Sequence, residues 1–177
     1  MEQRFRYNYD KRTKRLSFMI LAVIAVLSAV LIYFASEGGY LSAWIIAILL
    51  AVLALNILSI PRHILVNDDA LEIHCLVEMT RIPIADISSV RSVPAAGAGR
   101  LILLLGSYGF FGYYGYYLSA RRWEIVKVYA REWNHFVEIE DIYEQKYIIS
   151  CRDAERLVEA VMQAKLEQAG KAEDTHE

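Results

Sequence analysis

No pair of histidines in this 177-residue chain stands at the HxxxH or HExxH spacing of a metal site, and no serine or cysteine sits in a nucleophile elbow. The two cysteines, Cys75 and Cys151, are too few and too far apart for a metal motif; kept reduced in a cytoplasm, they read as small buried hydrophobes. No lysine follows the glycine-rich stretch as a phosphate-binding P-loop requires, and the GxGxxG dinucleotide fingerprint is missing. A formal net charge of −2 excludes a strongly basic nucleic-acid binder. The acids Glu138, Glu140, Asp141 and Glu144 lack the Asp-x-Asp-x-Asp-Gly order of a calcium loop and read as a solvated turn. These absences leave no catalytic constellation, and the expectation is a protein that is not an enzyme and holds no metal or cofactor.

Two long stretches lack charge altogether. Leu16 to Phe34 contains no charged residue, proline or glycine, and Tyr40 to Ile60 has Asn56 as its only strongly polar residue. Each has roughly the 20 residues that, at about 1.5 Å of rise per residue, cross a hydrocarbon core of about 30 Å. Only Ala35-Ser36-Glu37-Gly38-Gly39 lies between them, so the two segments are predicted to form a transmembrane hairpin over residues 16–60. The first run is longer than the roughly 7–15 apolar residues of a signal peptide. Neither span carries an Asp, Glu, Lys, Arg or His, which argues against a proton relay or an ion pathway within them. Ala22, Ala25 and Ala29 on the first, with Ala43, Ala47, Ala51 and Ala54 on the second, offer small faces for helix contact, to which Asn56 could add a hydrogen bond.

Charge is distributed unevenly around this hairpin. Residues 1–15 carry Arg4, Arg6, Lys11, Arg12, Lys14 and Arg15 against Glu2 and Asp10; Arg62 and His63 follow the second run, and the turn between the runs has Glu37 and no cation. The positive-inside rule then predicts a multi-pass inner-membrane protein with both termini in the cytoplasm. In the tail, Phe5, Tyr7 and Tyr9 alternate with cations, a composition expected to sit at the headgroup level and to attract anionic lipid.

After Pro61 the pattern becomes that of short strands. Ile64 to Asn67, the turn at Asp68-Asp69, and the alternation of Leu71, Ile73, Cys75 and Val77 with Glu72, His74, Leu76 and Glu78 predict a half-buried hairpin. Further strands are expected around Arg81 to Ile84, Ile87 to Val93, Leu101 to Leu105, Trp123 to Ala130, Val137 to Ile139 and Tyr147 to Ile149. Ser150-Cys-Arg-Asp153 has capping-box form, and Leu157, Val158, Val161, Met162 and Leu166 recur at helical spacing. One amphipathic helix is expected there, ended by Gly170, with a disordered tail over 169–177.

Between Gly106 and Tyr117 stands GSYGFFGYYGYY, with glycine at every third position. That period suits a loop or distorted hairpin with its rings on a surface better than a sheet core. Tyr108, Phe110, Phe111, Tyr113, Tyr114, Tyr116 and Tyr117, with Arg100, Arg121 and Arg122 beside them, are the candidate surface for lipid or a protein partner, because amphipathic rings and cations suit a membrane interface.

Three stretches, RIPIADISSVRSV, GSYGFFGYYGYY leading into WEIVKVYA, and YIISCRDAERLVEAV, together resemble the bacterial pleckstrin-homology-like family, whose members often follow one or two transmembrane helices. The resemblance covers residues 61–168. It implies an α+β fold: a bent antiparallel β-barrel or sandwich of about seven strands, with one C-terminal amphipathic helix plugging its open end. It also implies a non-catalytic module for lipid headgroups or protein partners, and a tendency in some relatives to self-associate. An alternative expectation, resting on the alanine faces and Asn56, is a subunit of a larger membrane complex. Phosphoinositide-binding members use a basic loop between their first two strands; here that loop is the acidic Asn67-Asp68-Asp69.

Overall fold

The computed structural model describes residues 3–7, 11–36, 40–76, 79–94 and 97–174. The expected turn at Glu37-Gly38-Gly39, the tail residues Tyr9 and Asp10, and Val77 and Glu78 of the first hairpin lie outside the described residues, as do Ala95, Ala96 and the last three positions.

Strand β1 (Gln3–Arg6) leads into helix α1 (Lys11–Ser36), which is followed by α2 (Tyr40–Leu58). At about 1.5 Å per residue these helices are about 39 and 28 Å long, enough to cross a bilayer. Within each, the most apolar stretch is not buried against protein at all, and Phe18, Val26, Leu41, Trp44 and Ile48 all stand exposed. The chain leaves α2 directly into β2 (Pro61–Val66), which pairs antiparallel with β1, Arg6 opposite His63 and Gln3 opposite Val66. The segments that enter and leave the helix pair are thus hydrogen-bonded to each other.

Sheet 1 continues with β3 (Ala70–Cys75) and β4 (Met79–Pro83) in the order β1-β2-β3-β4. A short 3-10 turn (Ile84–Asp86) then carries the chain into sheet 2, built from β5 (Ile87–Pro94), β6 (Leu101–Tyr108), β7 (Tyr113–Ser119), β8 (Glu124–Ala130), β9 (His135–Asp141) and β10 (Lys146–Ser150). Its order is β5-β9-β10-β8-β7-β6. The α+β fold that the resemblance implies is present: two apolar helices, strands in two sheets and a C-terminal helix. Among the described residues the two sheets do not close into a barrel, and β10 runs parallel to β8. The cause is local: β9 folds back through the Asp141 turn onto β10, and β10 inserts between β8 and β9, so the loop 131–134 must bridge over a strand. The Ser150 hydroxyl holds that bridge by accepting the backbone N–H of Arg131 at 2.8 Å.

Ser150 is therefore the last residue of a strand, not a helix cap. Helix α3 (Ala154–Asp174) begins four residues later, with the Leu157 N–H on the Asp153 carbonyl, and it runs through Gly170 into the segment expected to be tail. Its apolar face, Leu157, Ala160 and Val161, is buried with Ile64, Leu71, Ile73, Val137, Ile139 and Ile149 in the core between the sheets. Alternation explains the strand contributions: in β3, Leu71 and Ile73 are fully buried while Glu72 and His74 lie at the edge of solvent. A second, smaller cluster, with Tyr117, Val128, Phe136 and Ile148 at its centre, covers the other face of sheet 2.

Candidate functional site

The glycine-aromatic run folds as two strands and a tight tip. Tyr108 pairs with Tyr113, the Gly109 N–H bonds the Gly112 carbonyl at 2.9 Å, and Phe111 at the apex takes a φ of 55°. Farther down, Gly106 and Gly115 face each other across the hairpin with φ of 133° and 114°. A Cβ on Gly115 would stand 2.8 Å from the Gly106 Cα and closer still to the Leu105 carbonyl oxygen, so the two backbones approach as only glycines allow.

This hairpin is docked on the bases of both apolar helices. At α1, the Ser17 hydroxyl accepts the Phe111 N–H at 2.7 Å while donating to the Thr13 carbonyl of its own helix. At α2, the Tyr114 hydroxyl donates to the Asn56 backbone carbonyl at 2.6 Å, and the Asn56 side-chain amide bonds back to Val52. Asn56, expected to hydrogen-bond across helices or to water, therefore serves contact with the hairpin. Burial pushes the Tyr114 phenol above its ordinary pKa, so it stays a neutral donor.

The candidate residues divide by position. Tyr117 is fully buried, and Phe110 and Tyr114 are nearly so, which corrects the expectation of a wholly surface-lying run. The reason is strand alternation: Tyr113 and Tyr117 point into the smaller cluster with Trp133, while Tyr114 and Tyr116 take the opposite face. Tyr108 and Tyr116 are exposed, and Phe111 and Tyr113 are half-buried. Tyr108 and Trp133 both pack on Tyr113, with ring centres at 5.2 and 4.6 Å.

Arg100, Arg121 and Arg122 stand at the other end of the hairpin, where Leu101 pairs with Ser119. Seven residue steps separate that end from the tip, about 23 Å at about 3.3 Å per step. Arg122 is moreover engaged, at 3.4 Å from Glu138 and 3.6 Å from Glu124, in a network where Arg91 holds Glu138 at 2.8 Å and Lys146 holds Glu124 at 2.8 Å. The aromatics and the arginines, neighbours in sequence, do not form one patch. The acids read as a solvated turn are part of the same ordering: Glu138 is held by arginines, and Asp141 accepts the N–H groups of Tyr143 and Gln145. Cys151 is buried, and its thiol pKa is pushed up by that burial.

Phe5 and Tyr7, expected at the headgroup level, are buried in the main core instead, because β1 adds to sheet 1 as an edge strand and alternation turns Phe5 inward and Arg4 and Arg6 outward. The sequence reading also missed Lys127. Its ammonium sits 5.7 Å from the Tyr116 ring centre and 5.5 Å from that of Tyr147, beside a groove of about 420 Å³ between α2 and sheet 2. Val52 and Leu55 of α2 form one wall, with Leu105, Tyr114 and Tyr116 opposite. The lone cation in WEIVKVYA is the only sign of it in the sequence.

A family model described as Bacterial PH domain matches residues 62–165, more than half of the chain, from the strand after the second helix into α3. No curated protein and no solved structure matches the chain. PH-like domains are generally non-catalytic. With its two-sheet body and closing C-terminal helix behind two apolar helices, the chain belongs to the bacterial PH domain family.

Proposed function

We propose that the protein is a non-enzymatic, membrane-anchored PH-like module at the cytoplasmic face of the inner membrane, with both termini cytoplasmic, and that it engages anionic lipid headgroups there. The observation that carries this reading is the docking of the hairpin tip on both helix bases, Phe111 on Ser17 and Tyr114 on Asn56. With α1 and α2 in a bilayer, those contacts hold one end of the domain against the headgroups, and the exposed Tyr108 stands where amphipathic rings are favoured, beside the apolar ring of half-buried Phe111. The groove beside Val52 and Leu55 then opens toward lipid chains, with Lys127 as its cation.

The test is intact-mass measurement of the full-length protein released from native membranes in mild detergent. Phosphatidylglycerol or diphosphatidylglycerol should stay bound in preference to phosphatidylethanolamine. Retention of neither class, or of both equally, would overturn lipid engagement. A second reading, self-assembly, is favoured by strand β6, which exposes Ile102, Leu104 and Leu105 and has no strand on its outer side among the described residues. In the same measurement, particles of two or more chains would favour it.

A further inference from the structure

Strand β1 and the start of α3 wall a cleft of about 480 Å³. Arg4 and Arg6 line one side and Arg152 and Arg156 the other, with Asp153 as the single acid among them. Period-two alternation puts Arg4 and Arg6 on the same outward face around buried Phe5; Arg152 lies in the turn just before α3 and Arg156 in its first turn. All four are exposed, and none makes an ion pair or side-chain hydrogen bond among the described residues. Elsewhere the exposed cations Arg91 and Arg122 are matched by glutamates. In a chain whose formal net charge is −2, this is a local excess of positive charge, four arginines to one acid among the described residues that line the cleft.

The cleft also lies at the end of the domain where the helices attach. Arg6 pairs with His63, close after α2, and β1 runs on into α1 at Lys11. Ser150, two residues before Arg152, holds the β8–β9 loop, and that loop abuts the hairpin tip: a Cβ on Gly112 would stand 2.8 Å from the Ala130 carbonyl oxygen.

We infer that this cleft is a phosphate-binding site whose occupant is the headgroup of an anionic phospholipid in the adjacent leaflet. The inference rests on the membrane reading above and gives that reading its ligand-holding residues. Each guanidinium can hold two oxygens of one phosphate, and four positive charges are matched better by the two phosphates of a diphosphatidylglycerol headgroup than by a single one. Arg121 and Arg122, at the far end of the hairpin, take no part.

The experiment titrates diphosphatidylglycerol onto full-length protein in detergent and compares wild type with two variants. Combined Arg4→Gln, Arg6→Gln, Arg152→Gln and Arg156→Gln should weaken binding at least about tenfold, given the attraction of each cation for anionic lipid, and Arg121→Gln with Arg122→Gln should leave it within about twofold. All four arginines are exposed, so the unfolding midpoint should hold; should the fourfold variant misfold, Arg152→Gln with Arg156→Gln alone is expected to give an intermediate loss. Wild-type binding that survives in the fourfold variant would overturn the cleft, leaving the arginines of β1 as guards of a sheet edge, while lipid engagement stands. Absence of anionic-lipid binding by the wild type would instead sink the membrane reading and this site with it. Inorganic pyrophosphate is the last arm: binding as tight as the lipid's would assign the cleft to a free anion and overturn the lipid source, and weaker binding supports it.

Discussion

Gly115→Ala is expected to lower the thermal unfolding midpoint of the detergent-solubilised protein by about 6–12 °C, the equivalent of about 3 kcal/mol in a chain of this size. At a φ of 114° an alanine is strained whatever the space around it, and there is no space: the new methyl would press on the Gly106 Cα and the Leu105 carbonyl oxygen. These neighbours are backbone and cannot turn aside as a side chain would. Relief requires the β6–β7 ladder to open, and the residue before Gly115 is Tyr114, whose hydroxyl reaches Asn56. The substitution should therefore also speed amide exchange around Phe111 and Tyr114, whose contacts hold the tip on the helices. An unchanged midpoint with unchanged exchange would mean that the two glycines do not oppose each other as described.

Leu157→Ala is expected to cost about 2–5 kcal/mol, the range for emptying a well-packed core site. Leu157 is fully buried on the first turns of α3, among Ile84, Ile139 and Ile149 of the main core. The loss should be selective. α3 is pinned at its far end by Gln168, which donates to the Asp68 carbonyl at 2.7 Å, so the helix should loosen first at its start, where Arg152 and Arg156 lie. Chemical denaturation should give an unfolding free energy reduced by that amount, and lipid titration should show weaker binding even where the protein is still folded. A loss below about 1 kcal/mol would show that α3 is not the lid of this core.

Much of this architecture is legible in the chain because local patterns and the global fold agree. Alternation in ALEIHC and helical spacing in α3 each report which side faces the core: the structure buries Leu71, Ile73, Leu157 and Val161, whereas Met162 and Leu166 of the expected helix face stand exposed and Ala160 and Ala164 pack inward instead. The candidate site was harder to read for an identifiable reason. The glycine-aromatic run looks like a period of three, but it is a strand, a four-residue tip and a second strand, so Gly106 and Gly115, nine positions apart, become opposite neighbours. Pairing across a hairpin is not a linear period, and only the alternation within each strand decides that Tyr117 is buried while Tyr116 is exposed. Adjacency misled in the same way for Arg121 and Arg122: an extended strand carries its two ends far apart, whereas the arginines of the tail and of α3, some 150 positions apart, meet in one cleft. The tail itself, read as a basic anchor, gives only the four residues of β1 to sheet 1, too short a run for its alternation to stand out among cations.

On the membrane reading proposed above, the two helix contacts give the domain a defined membrane-facing end, and that is what most needs testing. Trp133 packs beside the hairpin tip, whereas Trp123 is exposed at the opposite end, next to Arg122. Two single-tryptophan proteins, Trp44→Phe with Trp123→Phe and Trp44→Phe with Trp133→Phe, can be reconstituted into vesicles whose lipids carry a nitroxide on the headgroup. A domain held by its tip predicts strong quenching of Trp133 and little quenching of Trp123. Equal quenching of the two, or stronger quenching of Trp123, would contradict a domain seated on the membrane through its glycine-aromatic hairpin.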